Sequence, residues 1–295
     1  MKRLLPPLAA IGTAVFVGAT MVATRFVIDQ SDPASLALLR YVVGFLCLMP
    51  PLMLARRVRF ESRDVLPVAL LGIGQFGILI ALLNFGLQYI GAGLGAVIFA
   101  TLPFLTMLLA AALGREALSM AKVLGVVLSI AGVACALSDR LFLPETGPMV
   151  WLGAAAVLGS ALSGAICAIY YRPYLVKYPP LQVGAFAMLA SVFFLALLAI
   201  PEGFFATVPS FTSGGWLAVL FIGASSGIGY FLWLWALQNT TPTRVTIFMA
   251  LSPMTATALG ALLLSEPITP LFLTGLAAVA AGLVIAHWPG AESAS

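Results

Sequence analysis

Long apolar runs alternate with short polar breaks along the whole chain. The runs cover residues 7–27, 35–55, 66–87, 92–113, 119–137, 150–171, 181–200, 214–237, 243–264 and 270–287. Each approaches the roughly 20 residues an α-helix needs to cross the hydrocarbon core of a bilayer. The breaks carry turn and interface chemistry, as in Asp29-Gln30-Ser31-Asp32-Pro33, Gly91-Ala92-Gly93, Thr240-Thr241-Pro242 and Glu266-Pro267. Membrane β-strands need only about 9–11 residues and alternate in polarity, whereas these runs are longer and apolar on all sides. The pattern predicts an all-α integral membrane protein of ten transmembrane helices, with no loop long enough to form a soluble domain.

Composition sharpens this. Of 295 residues, 62% are hydrophobic and 8% charged, against roughly 45–50% and about 25% in a soluble domain. So few charges cannot cover a water-facing surface. The formal net charge of +4 comes from basic residues scattered between apolar runs, without the aromatic-basic face of a nucleic-acid binder. Cys47, Cys135 and Cys167 each lie in an apolar run, and the single histidine, His287, ends the last one. No cysteine–histidine cluster, intramembrane acid pair or nucleophile motif is present, so no catalytic residue, metal or cofactor is expected. Met1-Lys2-Arg3 before an apolar run reads as the start of an uncleaved first helix, because no small-residue cleavage site follows a short core.

Lysine and arginine give the orientation. With the N-terminus inside, the inner ends hold Lys2, Arg3, Arg56, Arg57, Arg59, Arg63, Arg115, Lys122, Arg172, Lys177 and Arg244, while the outer loops hold only Arg140. Such a bias places both termini in the cytoplasm.

The chain also contains one stretch twice. Leu87-Gln88, Ala100, Pro103, Glu116, Gly125 and Gly132 recur as Leu237-Gln238, Ala250, Pro253, Glu266, Gly275 and Gly282, always 150 residues later. A repeat at fixed register sets the architecture. Residues 1–140 then form a first five-helix repeat and 141–295 a second. Five is odd, so the second repeat enters the membrane from the opposite side. The repeats are therefore expected to be inverted, as in many secondary transporters whose substrate site lies at the midplane between repeats.

Two five-helix repeats, Leu39-Arg40-Tyr41 in the second helix, and the Pro103-to-Glu116 segment with its echo at Pro253 and Glu266-Pro267 resemble the drug/metabolite transporter superfamily, in particular its EamA-type ten-helix branch. The resemblance implies a multi-pass protein of a bacterial inner membrane that exports amino acids, aromatic ones included, by alternating access. The alternative it leaves is export of another metabolite or a drug; a membrane-embedded enzyme fits far less well. The implied partners are a small-molecule substrate and lipid, with no nucleic acid, in a monomer or weak homodimer.

Polar side chains inside a membrane are costly and mark function. At mid-depth lie Thr20, Gln75, Thr101, Ser160, Ser163, Ser225, Ser226 and Ser252, on helices one, three and four and their counterparts six, eight and nine. With Phe16, Phe76, Phe99 and Tyr230 they outline an expected substrate cavity. Pro103 and Pro253 lack an N–H and are expected to kink their helices as hinges. Arg40 has two open roles: steadying the outer loop, by snorkelling outward or pairing with Asp29 or Asp32, or anchoring a substrate carboxylate. Tyr170, Tyr171 and Trp235 read as an interfacial belt. Every acid falls in a loop or near a helix end, so the intramembrane glutamate by which small multidrug-resistance relatives bind cations is absent. Glu116 and Glu266 are expected to cap the helices that follow them. Ala121, Gly125 and Ser129, with Ala278 and Gly282, predict close packing by helices five and ten.

Overall fold

A computed structural model of the chain describes residues 5–55, 58–114, 119–141, 147–206, 209–239 and 251–286. Their helices are α1 (Leu5–Val27), α2 (Pro33–Leu54), α3 (Ser62–Tyr89), α4 (Ala92–Ala112), α5 (Met120–Leu141), α6 (Pro148–Lys177), α7 (Pro180–Leu198), α8 (Ser213–Asn239), α9 (Leu251–Leu264) and α10 (Pro270–Ala286). No strand occurs among the described residues. Seven helices there, α1–α4 and α6–α8, are long and apolar enough to cross a membrane, and three shorter apolar ones lie in α5, α9 and α10.

The outside of the bundle is apolar. Leu54 is 90% exposed, Leu262 79% and Met53 78%, while Thr20, Ser160, Asn84 and Arg40 are buried. That inversion of the soluble pattern is what solvation by lipid requires. It also explains the all-helical build, since lipid offers no partner for a free peptide group.

Proline and glycine punctuate the helices. Pro33, Pro148, Pro180 and Pro270 each open one, at the position where a missing N–H costs nothing. α4 is interrupted at Ala100–Thr101 and resumes at Leu102, with Pro103 in its new first turn. The interruption lies two residues upstream of the Pro103 ring. Pro253 is buried in the first turn of described α9; residues 243–249, where its kink was expected, lie outside the described residues.

Two helices run past their expected ends. α3 begins at Ser62 and α6 reaches Lys177, and the first turn of α3 is joined to the end of α6 by polar contacts from Lys177 and Tyr178 to Asp64 that hydropathy does not register. α3 also widens into a π-helical stretch over Ile73–Ile78, where Gly74 O accepts the Ser163 hydroxyl at 2.9 Å.

α1 packs on α8 and α9, α2 on α7 and α8, α3 on α6 and α7, and α4 on α6 and α9. α5 and α10 form the most extensive pair. A Cβ on Gly132 would lie 2.7 Å from Gly275 O, and one on Gly282 would lie 2.6 Å from Gly125 O. The small-residue stripe is therefore used inside the chain, between its own fifth and tenth helices.

Candidate functional site

α2 brings Arg40 inward. It stands seven residues after Pro33, about 10 Å along the helix at about 1.5 Å per residue. Its Nε donates to Ser226 Oγ on α8 at 2.7 Å, and that hydroxyl donates to Ile222 O at 2.6 Å. The guanidinium carbon lies 5.7 Å from the Tyr41 ring centre. Arg40 is only 9% exposed, and no carboxylate pairs with it among the described residues. The pairing with Asp29 or Asp32 does not form: Asp29 takes Arg25 at 3.3 Å. The reason is the close approach of α2 and α8, where a Cβ on Gly227 would lie 2.6 Å from Gly44 O and one on Gly223 3.1 Å from Arg40 O. Side chains leaving α2 on that face have no path outward.

Aromatic rings continue from the guanidinium. Tyr41 packs edge-on against Phe76 at 5.2 Å between centroids, and Phe76 against Tyr230 at 4.9 Å. Tyr171 of α6 lies in the same buried cluster as Tyr41, Phe76 and Cys167, with Tyr230 packed against it. It is 4% exposed, and its buried hydroxyl has no partner. This overturns its assignment to the interfacial belt. α6 continues for six residues beyond Tyr171, and a step of one residue turns about 100° around a helix. Tyr170 therefore faces outward at 44% exposure while Tyr171 faces the core.

The structure thus joins Arg40, Ser226, Tyr230 and Phe76 from the expected set and adds Tyr41 and Tyr171. Tyr41 was legible as the neighbour of Arg40 in Leu39-Arg40-Tyr41; Tyr171 carried no sequence signal beyond its depth. The other expected residues distribute along helix contacts. Thr20 is buried and donates to Val17 O at 2.9 Å. Ser252 is buried where α9 meets Gly18 of α1. Thr101 spends its hydroxyl on Ile98 O at 2.7 Å, inside the α4 break. Ser160 is fully buried without a partner, and Ser225 is buried beside Ser226. Gln75 sits in the π-helical stretch beside Gly74, the acceptor of Ser163, and Phe99 ends the first half of α4.

Two polar contacts tie the ends of the bundle. Glu266 does not cap α10, whose first turn is capped by Thr269, its hydroxyl accepting from Phe272 N at 3.1 Å. Glu266 instead accepts from Ala92 N at 2.7 Å and Gly93 N at 3.2 Å, capping α4 in the other half of the chain. Free N–H groups at a helix start attract a carboxylate wherever the fold supplies one. Glu116 lies outside the described residues. Glu266 borders a cleft of about 430 Å³ that also meets Arg25, Asp29 and Tyr89 and lies apart from the Arg40 cluster. At the other end, Lys177 bonds Glu61 and Asp64, each at 2.6 Å, and the Tyr178 hydroxyl donates to Asp64 at 2.6 Å.

A helical bundle with an apolar exterior and an interior cation set among aromatic rings defines a multi-pass membrane protein. Comparison with known proteins gives its family. The EamA-like transporter family matches twice, over residues 4–138 and 151–288. An uncharacterized transporter of Archaeoglobus fulgidus is 26% identical over 92% of this chain and 95% of its own. A probable terminal-alkyne amino-acid exporter of Streptantibioticus cattleyicolor is 30% identical over 94% and 91%. The uncharacterized transporter YoaV of Bacillus subtilis is 22% identical over 94% of each. A solved structure superposes with a TM-score of 0.71 over 96% of each chain at 22% identity, a likeness of fold. The chain belongs to the EamA-like transporter family.

Proposed function

We propose that this transporter exports small amphiphilic metabolites, among them amino acids with apolar or aromatic side chains, across a bacterial inner membrane. The observation that carries this reading is Arg40: a buried guanidinium without a carboxylate partner, flanked by Tyr41, Phe76 and Tyr230. Such a group offers a carboxylate two-pronged, charge-assisted hydrogen bonds, while the rings offer an apolar wall. A buried cation is also the wrong sign for a lipophilic cationic drug. The name of the S. cattleyicolor relative points to the same substrate class.

The transport cycle we propose is alternating access between two inverted five-helix repeats, 1–140 and 141–295, making ten spans with both termini in the cytoplasm. The family's twofold match supports it. So does the packing: α1 on α8 has its counterpart in α6 on α3, α1 on α9 in α6 on α4, and α2 on α8 in α7 on α3. In this reading Arg40, Ser226 and Tyr230 hold substrate. Thr20, Gln75, Phe99, Thr101, Ser160, Ser163, Ser225 and Ser252 line or support its path, and Pro103 and Pro253 are hinges.

Flux from proteoliposomes loaded with labelled amino acids tests this. The expected result is saturable flux that aromatic amino acids compete for and that Arg40→Gln abolishes. Flux of a drug or nucleotide sugar, with none of any amino acid, refutes the substrate class.

A further inference from the structure

We infer that the Arg40 site selects its ligand by net charge, preferring organic monoanions with a carboxylate, an aromatic or apolar body and no ammonium group over zwitterionic amino acids. The preferred class comprises aromatic 2-hydroxy acids, arylalkanoic acids and N-acyl amino acids. The inference rests on the reading that Arg40 faces substrate.

The argument is a charge balance. Arg40 supplies one permanent positive charge, since a guanidinium stays protonated in proteins. Among the described residues its hydrogen bond uses Nε alone, so both Nη groups keep their donors. Ser226 already gives its proton to Ile222 O and takes one from Arg40. The unpartnered Tyr171 hydroxyl is another buried group able to donate. The described carboxylates are committed elsewhere or lie at helix ends: Asp64 and Glu61 to Lys177, Glu202 to Ala34 and Ser35, Glu266 to Ala92 and Gly93. A carboxylate entering this cluster replaces its water with matched donors. An ammonium entering with it finds only the weaker attraction of ring faces and phenol oxygens, no countercharge, and the like charge of Arg40 nearby, and desolvating an ionised group without a countercharge is disfavoured. A zwitterion therefore gains at one end and loses at the other, whereas a monoanion only gains.

Calorimetric titration of the full chain in lipid nanodiscs tests this with four ligands of one aromatic body. These are L-phenylalanine, 3-phenylpropionate, N-acetyl-L-phenylalanine and L-phenylalanine methyl ester. The two monoanions are expected to bind on the order of tenfold more tightly than phenylalanine, and the cationic ester not to bind. Arg40→Lys, which keeps the charge, should preserve that order at lower affinity, and Arg40→Gln should remove it. Phenylalanine binding as tightly as both monoanions overturns the inference while leaving the transporter reading intact. No binding by any of the four, with solute flux unchanged in Arg40→Gln, overturns the assignment of Arg40 to the site and the inference with it.

Discussion

Lys177 holds two carboxylates at once, Glu61 and Asp64, each at 2.6 Å. Asp64 is the more enclosed, its side chain 12% exposed, and without Lys177 it keeps only the Tyr178 hydroxyl. Lys177→Met removes the cation from both carboxylates and leaves that of Asp64 short of a partner. We therefore expect a lower melting temperature at neutral pH, read by thermal denaturation in detergent. Glu61 adds a pH signature. The hydrogen bond from Lys177, with Arg63 nearby, holds its carboxyl below the ordinary 4.5. A depressed folded-state pKa contributes stability above the unfolded value that is lost as pH falls through the folded one. The gap between wild type and Lys177→Met should narrow below pH 4.5. Equal melting temperatures at neutral pH would show that the cluster does not hold the fold. Sequence placed these residues on one face of the membrane by charge bias alone. It could not pair them, since 113 residues separate Lys177 from Asp64.

Among the helices, α5 and α10 depend most on the absence of side chains. Gly132→Ala would set a Cβ 2.7 Å from Gly275 O and 2.9 Å from Val279 N. Backbone cannot swing aside as a side chain can, so the helices must separate, at about 1–3 kcal/mol for overpacking. Gly147→Ala is the control, because nothing lies within 4 Å of its new Cβ. Detergent melts should fall for the first and not the second; two unchanged melts would mean that the helices part without cost. At this scale much was legible. The small residues Ala121, Gly125, Ser129, Ala278 and Gly282 announced close packing by helices five and ten. The π-helical stretch in α3 was not legible, because three glycines in an apolar run are equally compatible with a regular helix. Nor was the partner of Glu266. Loop sequence shows that a carboxylate can cap, but only the fold decides which helix start lies beside it.

For the molecule as a whole, the alternating access we propose requires the contact between the start of α4 and the α9–α10 loop to break once per cycle. Glu266 is its main polar tie, a carboxylate on two backbone N–H groups at a helix start, and Gly91, Gly93 and Gly260 allow the approach. Removing this tie tests its part in the cycle we propose. In a chain with Cys47, Cys135 and Cys167 replaced by alanine, Leu264→Cys places a thiol in the cleft beside Glu266. Adding Glu266→Ala should raise its labelling by a membrane-impermeant maleimide on the order of tenfold, the equivalent of one charge-assisted contact. Substrate turnover should fall, because the side that no longer closes cannot complete the cycle. Glu266→Gln, which keeps one acceptor oxygen but loses the charge, should lie between the two. Equal labelling in all three chains would mean that Glu266 is a static cap and that closure resides in the apolar contact of α4 with α9.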